Sequence, residues 1–138
     1  MGCAMLLAGK VAVIFGGSGA IGCAVAQVMA REGAHVFLGA RSQQNLNQAA
    51  SRIRASGGSA DTFIIDVLDE QSTAEQVMHL VQNTGGIDVV VNATGFMHDQ
   101  GKQIDALSLA EFMRGIIPFL TAQFTISKAV SPHMGGER

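Results

Sequence analysis

The chain has 138 residues, 48% hydrophobic and 14% charged, with a formal net charge of −2. That length suits one domain and leaves no room for two ordinary ones, and the composition excludes an intrinsically disordered chain. The near-neutral charge, without a basic run, argues against nucleic acid and anionic membrane surfaces as partners. Cys3 and Cys23 have neither disulfide-framework nor metal-ligand spacing, so both are expected to be reduced thiols of a cytoplasmic protein without a metal site.

The chain begins "MGCAMLLAGK". Its apolar run is short and follows no basic region, so it reads as lead-in and not as a signal peptide. Leu6 stands where myristoylation needs Ser or Thr. No apolar run approaches the ~20 residues of a membrane span.

Four apolar runs then follow: "VAVIF" (11–15), "HVFL" (35–38), "TFII" (62–65) and "IDVVV" (87–91). They are rich in β-branched residues and mostly do not alternate with polar ones, which predicts strands covered on both faces. Helical periodicity fills the gaps. Ile21, Ala24, Val25, Val28 and Met29 form one predicted face, closed by Gly33. Leu46, Ala49, Ala50 and Ile53 form the next, stopped by Gly57-Gly58. Ala74, Val77, Met78 and Val81 form a third, with Ser72 and Glu75 as a capping box and Gly85-Gly86 beyond its end. The order β-α-β-α-β-α-β predicts an α/β, doubly wound, Rossmann-like parallel sheet with right-handed crossovers and strand order 3-2-1-4. Its ligand crevice should lie at the carboxyl ends of strands 1 and 4.

After a polar connection (96–107), Ser108-Leu109-Ala110-Glu111 offers a second capping box. A long helical segment follows, with Phe112, Met113, Ile116, Ile117, Leu120 and Phe124 on a broad apolar face. Pro118 within it predicts a kink or break. His98, in the connection, is a candidate for the substrate side of the crevice or a plain loop histidine.

"FGGSGAIG" (15–22) sits between the first strand and the first helix. Gly17, Gly19 and Gly22 fit G-x-G-x-x-G; Gly16, Ala20 and Gly22 fit a longer frame, G-x-x-x-(G/A)-I-G. Either way, glycine lets backbone N–H groups at the helix start approach a pyrophosphate. Ser18 adds a hydroxyl. A Walker A loop is excluded, because Cys23-Ala24 follow Gly22 where Lys and Ser/Thr are required. A purely structural turn is the other reading. About 20 residues on, an acid would bind the ribose of NAD, whereas an arginine suits the 2′-phosphate of NADP. Arg41 and Ser42 stand there, so NADP(H) is expected over NAD; the alternative is that Arg41 is an ordinary surface cation.

Taken in order, "GGSGAIG", "GAR", Asp66-Val67, "NATG" (92–95) and "FLTAQFTISKAVSPHM" (119–134) resemble the short-chain dehydrogenase/reductase family over roughly residues 8–134. The set favours the longer glycine frame. The resemblance implies dinucleotide contacts from Gly16, Ser18, Gly19, Ala20, Ile21, Gly22, Arg41, Ser42, Asp66, Val67, Asn92, Ala93, Thr94 and Gly95. In it, Asp66 would accept from the adenine amino group and Val67 would line the ring. Read without it, Asp66 is a helix-preceding cap and Asn92 a turn residue. "NATG" stands for the family's N-N-A-G, with Ala93 and Thr94 as departures. Phe15 replaces a usual Thr, and Phe119 occupies the place of the family's catalytic-helix asparagine. The long helix (108–131) resembles the family's interface helix, which implies a homo-oligomer.

The family's chemistry uses a serine, a tyrosine as general acid/base and a lysine that lowers the tyrosine pKa. This chain has no tyrosine. Phe124-Thr125-Ile126-Ser127-Lys128 mimics Y-x-x-S-K, but a phenyl ring has no proton to transfer, and the stretch follows "NATG" too closely. Lys128 is expected to be a solvated helix residue, and no catalytic residue is assigned. The expectation is therefore a single dinucleotide-binding domain over 1–138, the amino-terminal half of a longer family domain, ending before its fifth strand. Its parent would interconvert a hydroxyl and a carbonyl on a small molecule. The alternative is a non-catalytic nucleotide-binding or interaction protein.

Overall fold

A computed structural model describes residues 4–96 and 101–136. Strands β1 (Val11–Phe15), β2 (His35–Ala40), β3 (Ser59–Ile64) and β4 (Val89–Asn92) alternate with helices α1 (Ala20–Arg31), α2 (Gln43–Ala55) and α3 (Glu70–Thr84), and α4 (Leu109–Val130) follows. All neighbouring strands pair parallel, in the order β3-β2-β1-β4. This is the expected Rossmann-like α/β sheet. The order reverses between β1 and β4, which opens a crevice at their carboxyl ends.

All five residues of β1 are buried. Ala12 and Ile14 pack with Ala26 of α1 and with Leu46, Ala50 and Ile53 of α2. Val13 and Phe15 pack on the other face with Val77 of α3 and Ile126 of α4. Each face thus claims alternate residues of one continuous apolar run. β3 departs from that expectation. It starts at Ser59 and buries only Ala60 fully, because it is an edge strand of the sheet.

Helix faces show where periodicity of apolar residues misleads. α2 buries Leu46, Ala49, Ala50 and Ile53, as predicted. α1 buries Gly22, Ala26 and Ala30 instead of the predicted stripe, and Ile21 is 74% exposed. Small residues at i, i+4 and i+8 let this helix lie close to the sheet, so size and not hydrophobicity selects the buried side. α3 buries Thr73, Val77 and Leu80, with Ala74 and Met78 outward. Thr73 is tolerated there because its hydroxyl donates to the Asp69 carbonyl at 2.8 Å. The cap of α3 also differs from expectation: Asp69 Oδ1 accepts from Ser72 N at 2.9 Å, while Glu75 accepts from Gln71.

The capping box of Ser108 and Glu111 is present at the start of α4. The helix runs unbroken through Pro118, so the expected break does not occur. Arg114, whose carbonyl loses its helical donor to Pro118, is exposed, and water can replace that donor. Ala122, Thr125, Ile126 and Val130 are the buried side of α4. The predicted face is largely open: Phe112, Ile117, Leu120 and Phe124 are exposed.

Candidate functional site

Four loops converge at the carboxyl ends of the strands. Residues after β1, β2, β3 and β4 line one cleft of about 360 Å³. Gly16, Ser18, Gly19, Arg41, Ser42, Asp66, Val67, Ala93, Thr94 and Gly95 all border it. Ala20, Ile21 and Gly22 form the first turn of α1, just behind. Asn92 ends β4 and holds Thr94. Gly39, Ala40, Asn45, Ile65, Leu68 and Phe96 also line the cleft, although the sequence reading assigned them nothing. Ala40, Ile65, Leu68 and Phe96 had only adjacency to assigned residues as a signal, and Gly39 and Asn45 lie two and three positions away from one. His98 and Cys3 lie outside the described residues.

The glycine turn is built by close approach. Gly16 has φ +78°, and a Cβ there would stand 2.5 Å from the Ala93 carbonyl oxygen. A Cβ on Gly22 would strike the Gly16 carbonyl oxygen. Gly16 and Gly22 are therefore the geometric fixed points of the turn. Gly19, by contrast, takes an ordinary φ of −78° as the N-cap of α1.

The donors this turn presents fit a pyrophosphate. α2, α3 and α4 each begin with a side-chain cap, from Ser42, Asp69 and Ser108. α1 has no side-chain cap. Among the described residues, the N–H groups of Ser18, Ala20, Ile21 and Gly22 donate to no acceptor of the chain. Uncapped N–H groups at a helix start, with the positive end of its dipole, favour an anion.

Arg41 is exposed beside the cleft and makes no ion pair or hydrogen bond among the described residues. Arg54 is the contrast: it donates to the Ala60 carbonyl and pairs with Asp61. Ser42 acts as the α2 cap, accepting from Asn45 N at 3.3 Å. Asp66 is exposed, and its Oδ1 accepts from Leu68 N at 3.0 Å, so the other oxygen remains for a ligand donor. It does not cap α3, which Asp69 does.

A second cleft, of about 500 Å³, meets the first at Thr94, Gly95 and Phe96. Leu107, Phe112, Gly115, Ile116 and Phe119 make it mainly apolar, and Glu111 borders it. The Lys102 ammonium, together with the capping-box donors of Ser108, lowers the Glu111 pKa to about 2. Phe124, Ser127 and Lys128 line neither cleft. Lys128 is exposed, as expected, but Nζ also donates to Glu70 Oε1 on α3 at 2.6 Å.

Residues 10–138 match the family model of short chain dehydrogenases. The chain belongs to this family. Among curated short-chain dehydrogenase relatives, it is 32% identical over 129 residues to the 7alpha-hydroxysteroid dehydrogenase of Clostridium sardiniense, covering 93% of this chain and 49% of that protein. A metagenomic short-chain oxidoreductase solved in complex with NADP superposes with a TM-score of 0.80 at 31% identity, over 92% of this chain and 57% of that one. NAD+-bound xylitol dehydrogenase superposes with a TM-score of 0.83 at 28% identity, over 93% and 49% respectively. The chain spans about half the length of most curated relatives that it matches along nearly its whole length. Among the described residues, no helix is long and apolar enough to cross a membrane.

Proposed function

We propose that this chain is the dinucleotide-binding, amino-terminal half of a family domain that interconverts a hydroxyl and a carbonyl on a small molecule. The observation that carries it is the α1 N-terminus, which is uncapped and faces a cleft bordered by ten of the fourteen assigned residues. The pyrophosphate would sit on the N–H groups of Ser18, Ala20, Ile21 and Gly22. Asp66 and Val67 would hold the adenine, and Ala93, Thr94 and Gly95 would border the nicotinamide side. The nicotinamide supplies a hydride acceptor or donor when bound; the chain's own residues orient it. Arg41, without a partner among the described residues, favours NADP(H) over NAD by charge-assisted bonds to the 2′-phosphate. The open face of α4 supports a homo-oligomer, and the two unpaired-spaced cysteines support a cytoplasmic setting. The net charge supports no nucleic-acid partner.

A dinucleotide-binding role without catalysis is the second reading. It rests on the absence of tyrosine from all 138 residues. Titration calorimetry tests what both share: NADP(H) should bind more tightly than NAD(H). Arg41→Ala should weaken NADP(H) on the order of tenfold to a hundredfold and leave NAD(H) nearly unchanged. Equal affinities for the two cofactors in the parent chain would remove the preference.

A further inference from the structure

Four side chains run in series from α4 to the cleft. Thr94 N donates to Asn92 Oδ1 at 3.2 Å, and Thr94 Oγ1 lies 2.6 Å from the same oxygen. Asn92 Nδ2 donates to Gln123 Oε1 at 2.9 Å, and Gln123 Nε2 donates to Ser127 Oγ at 3.3 Å. The direction of every bond follows from one of them. A backbone N–H can only donate, so the atom facing Thr94 N must be the carbonyl oxygen of Asn92. That oxygen cannot donate, so the Thr94 hydroxyl must. Asn92 then turns its NH2 toward α4, where Gln123 must present its oxygen.

The consequence reaches the ligand. Thr94 borders both clefts, and its single hydroxyl proton is committed to Asn92. Toward the cleft it offers lone pairs only. We infer that Gln123 is a positioning residue that holds Asn92 in the orientation the Thr94 N–H selects and so keeps Thr94 Oγ1 an obligate acceptor for a ligand donor. A ribose hydroxyl or a carboxamide NH2 of the dinucleotide has that chemistry. This inference rests on the dinucleotide reading above. Gln123 itself lines neither cleft and acts only through Asn92.

The test compares four substitutions in the chain by calorimetry with NADP(H) and by thermal unfolding. Gln123→Leu keeps the approximate size and removes the acceptor. Gln123→Glu keeps an acceptor for Asn92, and Ser127 can reverse its hydroxyl to donate to it. Thr94→Val removes the hydroxyl, whereas Thr94→Ser keeps it. Gln123→Leu and Thr94→Val should each weaken binding about fivefold to tenfold, the loss of one hydrogen bond. Gln123→Glu and Thr94→Ser should bind within about twofold of the parent chain, a difference below that of one hydrogen bond. Parent-like binding by Gln123→Leu and Thr94→Val overturns the inference alone. So does equal loss of binding and melting temperature in Gln123→Leu and Gln123→Glu, which would mean a purely structural role. A parent chain that binds neither NADP(H) nor NAD(H) overturns the dinucleotide reading and this inference with it.

Discussion

Gly16 concentrates more of the site in one residue than any other position. Its φ of +78° lies in the region that L side chains avoid, and its missing Cβ admits the Ala93 carbonyl. Gly16→Ala is therefore expected to lose about 1–2 kcal/mol from backbone strain alone, with the clash added. Urea unfolding would read that loss, and a stability equal to the parent's would contradict the geometry. The same residue was legible in the sequence only as one of several glycines in "FGGSGAIG". The longer frame was preferred there through residues far along the chain. The structure reaches Gly16 and Gly22 by a separate route, since these two glycines meet each other. Thr94 went the other way. In the sequence it was a departure from a motif; in the fold its hydroxyl has a donor's direction fixed by Asn92.

At the scale of elements, helix starts separate two kinds of work. α4 begins with a complete capping box, in which Ser108 Oγ accepts from Glu111 N at 3.2 Å and Glu111 Oε2 accepts from Ser108 N at 2.9 Å. Ser108→Ala should cost about 1 kcal/mol, measured by urea denaturation. Glu111 adds a dependence on acid. Its carboxyl ordinarily titrates near 4.5 and is held down to about 2 in the folded chain. Below 4.5 the unfolded chain takes up a proton that the folded chain still refuses. Its contribution is thus fully present above pH 4.5 and is lost as pH falls toward 2. Glu111→Gln should flatten that part of a stability–pH curve, and an unchanged curve would exclude the role. α1 lacks any such cap, so its open N–H groups remain for an anion. The same helices show why periodicity reads faces imperfectly. It found the α2 face, where large apolar residues pack. It missed the face of α1, where the buried positions are Gly and Ala, and for α3 it found Val77 but not Thr73 or Leu80.

For the whole molecule, the two faces of the sheet are unequally covered. α1 and α2 close one core, while α3 and α4 close the other. β4 pairs only with β1 among the described residues, and its four residues are half-buried. α4 leaves Phe119 and Phe124 more than half exposed, an apolar surface of the kind that marks contact sites. The proposed homo-oligomer through this helix predicts a mass above one chain by light scattering. Leu120→Glu with Phe124→Glu should shift it to monomer, since both positions are already exposed and a charge there leaves the core intact. A monomeric parent chain at micromolar concentration would count against that assembly.

The sequence by itself determined the order of strands and helices, the parallel sheet and the family. These depend on runs, spacing and glycine positions, which are local properties of the chain. It also named most of the cleft-lining residues, because each follows directly after a strand. Tertiary structure alone decided which side of α1, α3 and α4 meets the sheet, that α1 begins without a side-chain cap, and that Gln123 reaches Asn92. Those facts depend on how closely two elements approach and which donors remain unpaired. Residues 31 positions apart share a hydrogen bond here, and no local pattern in the chain encodes that distance.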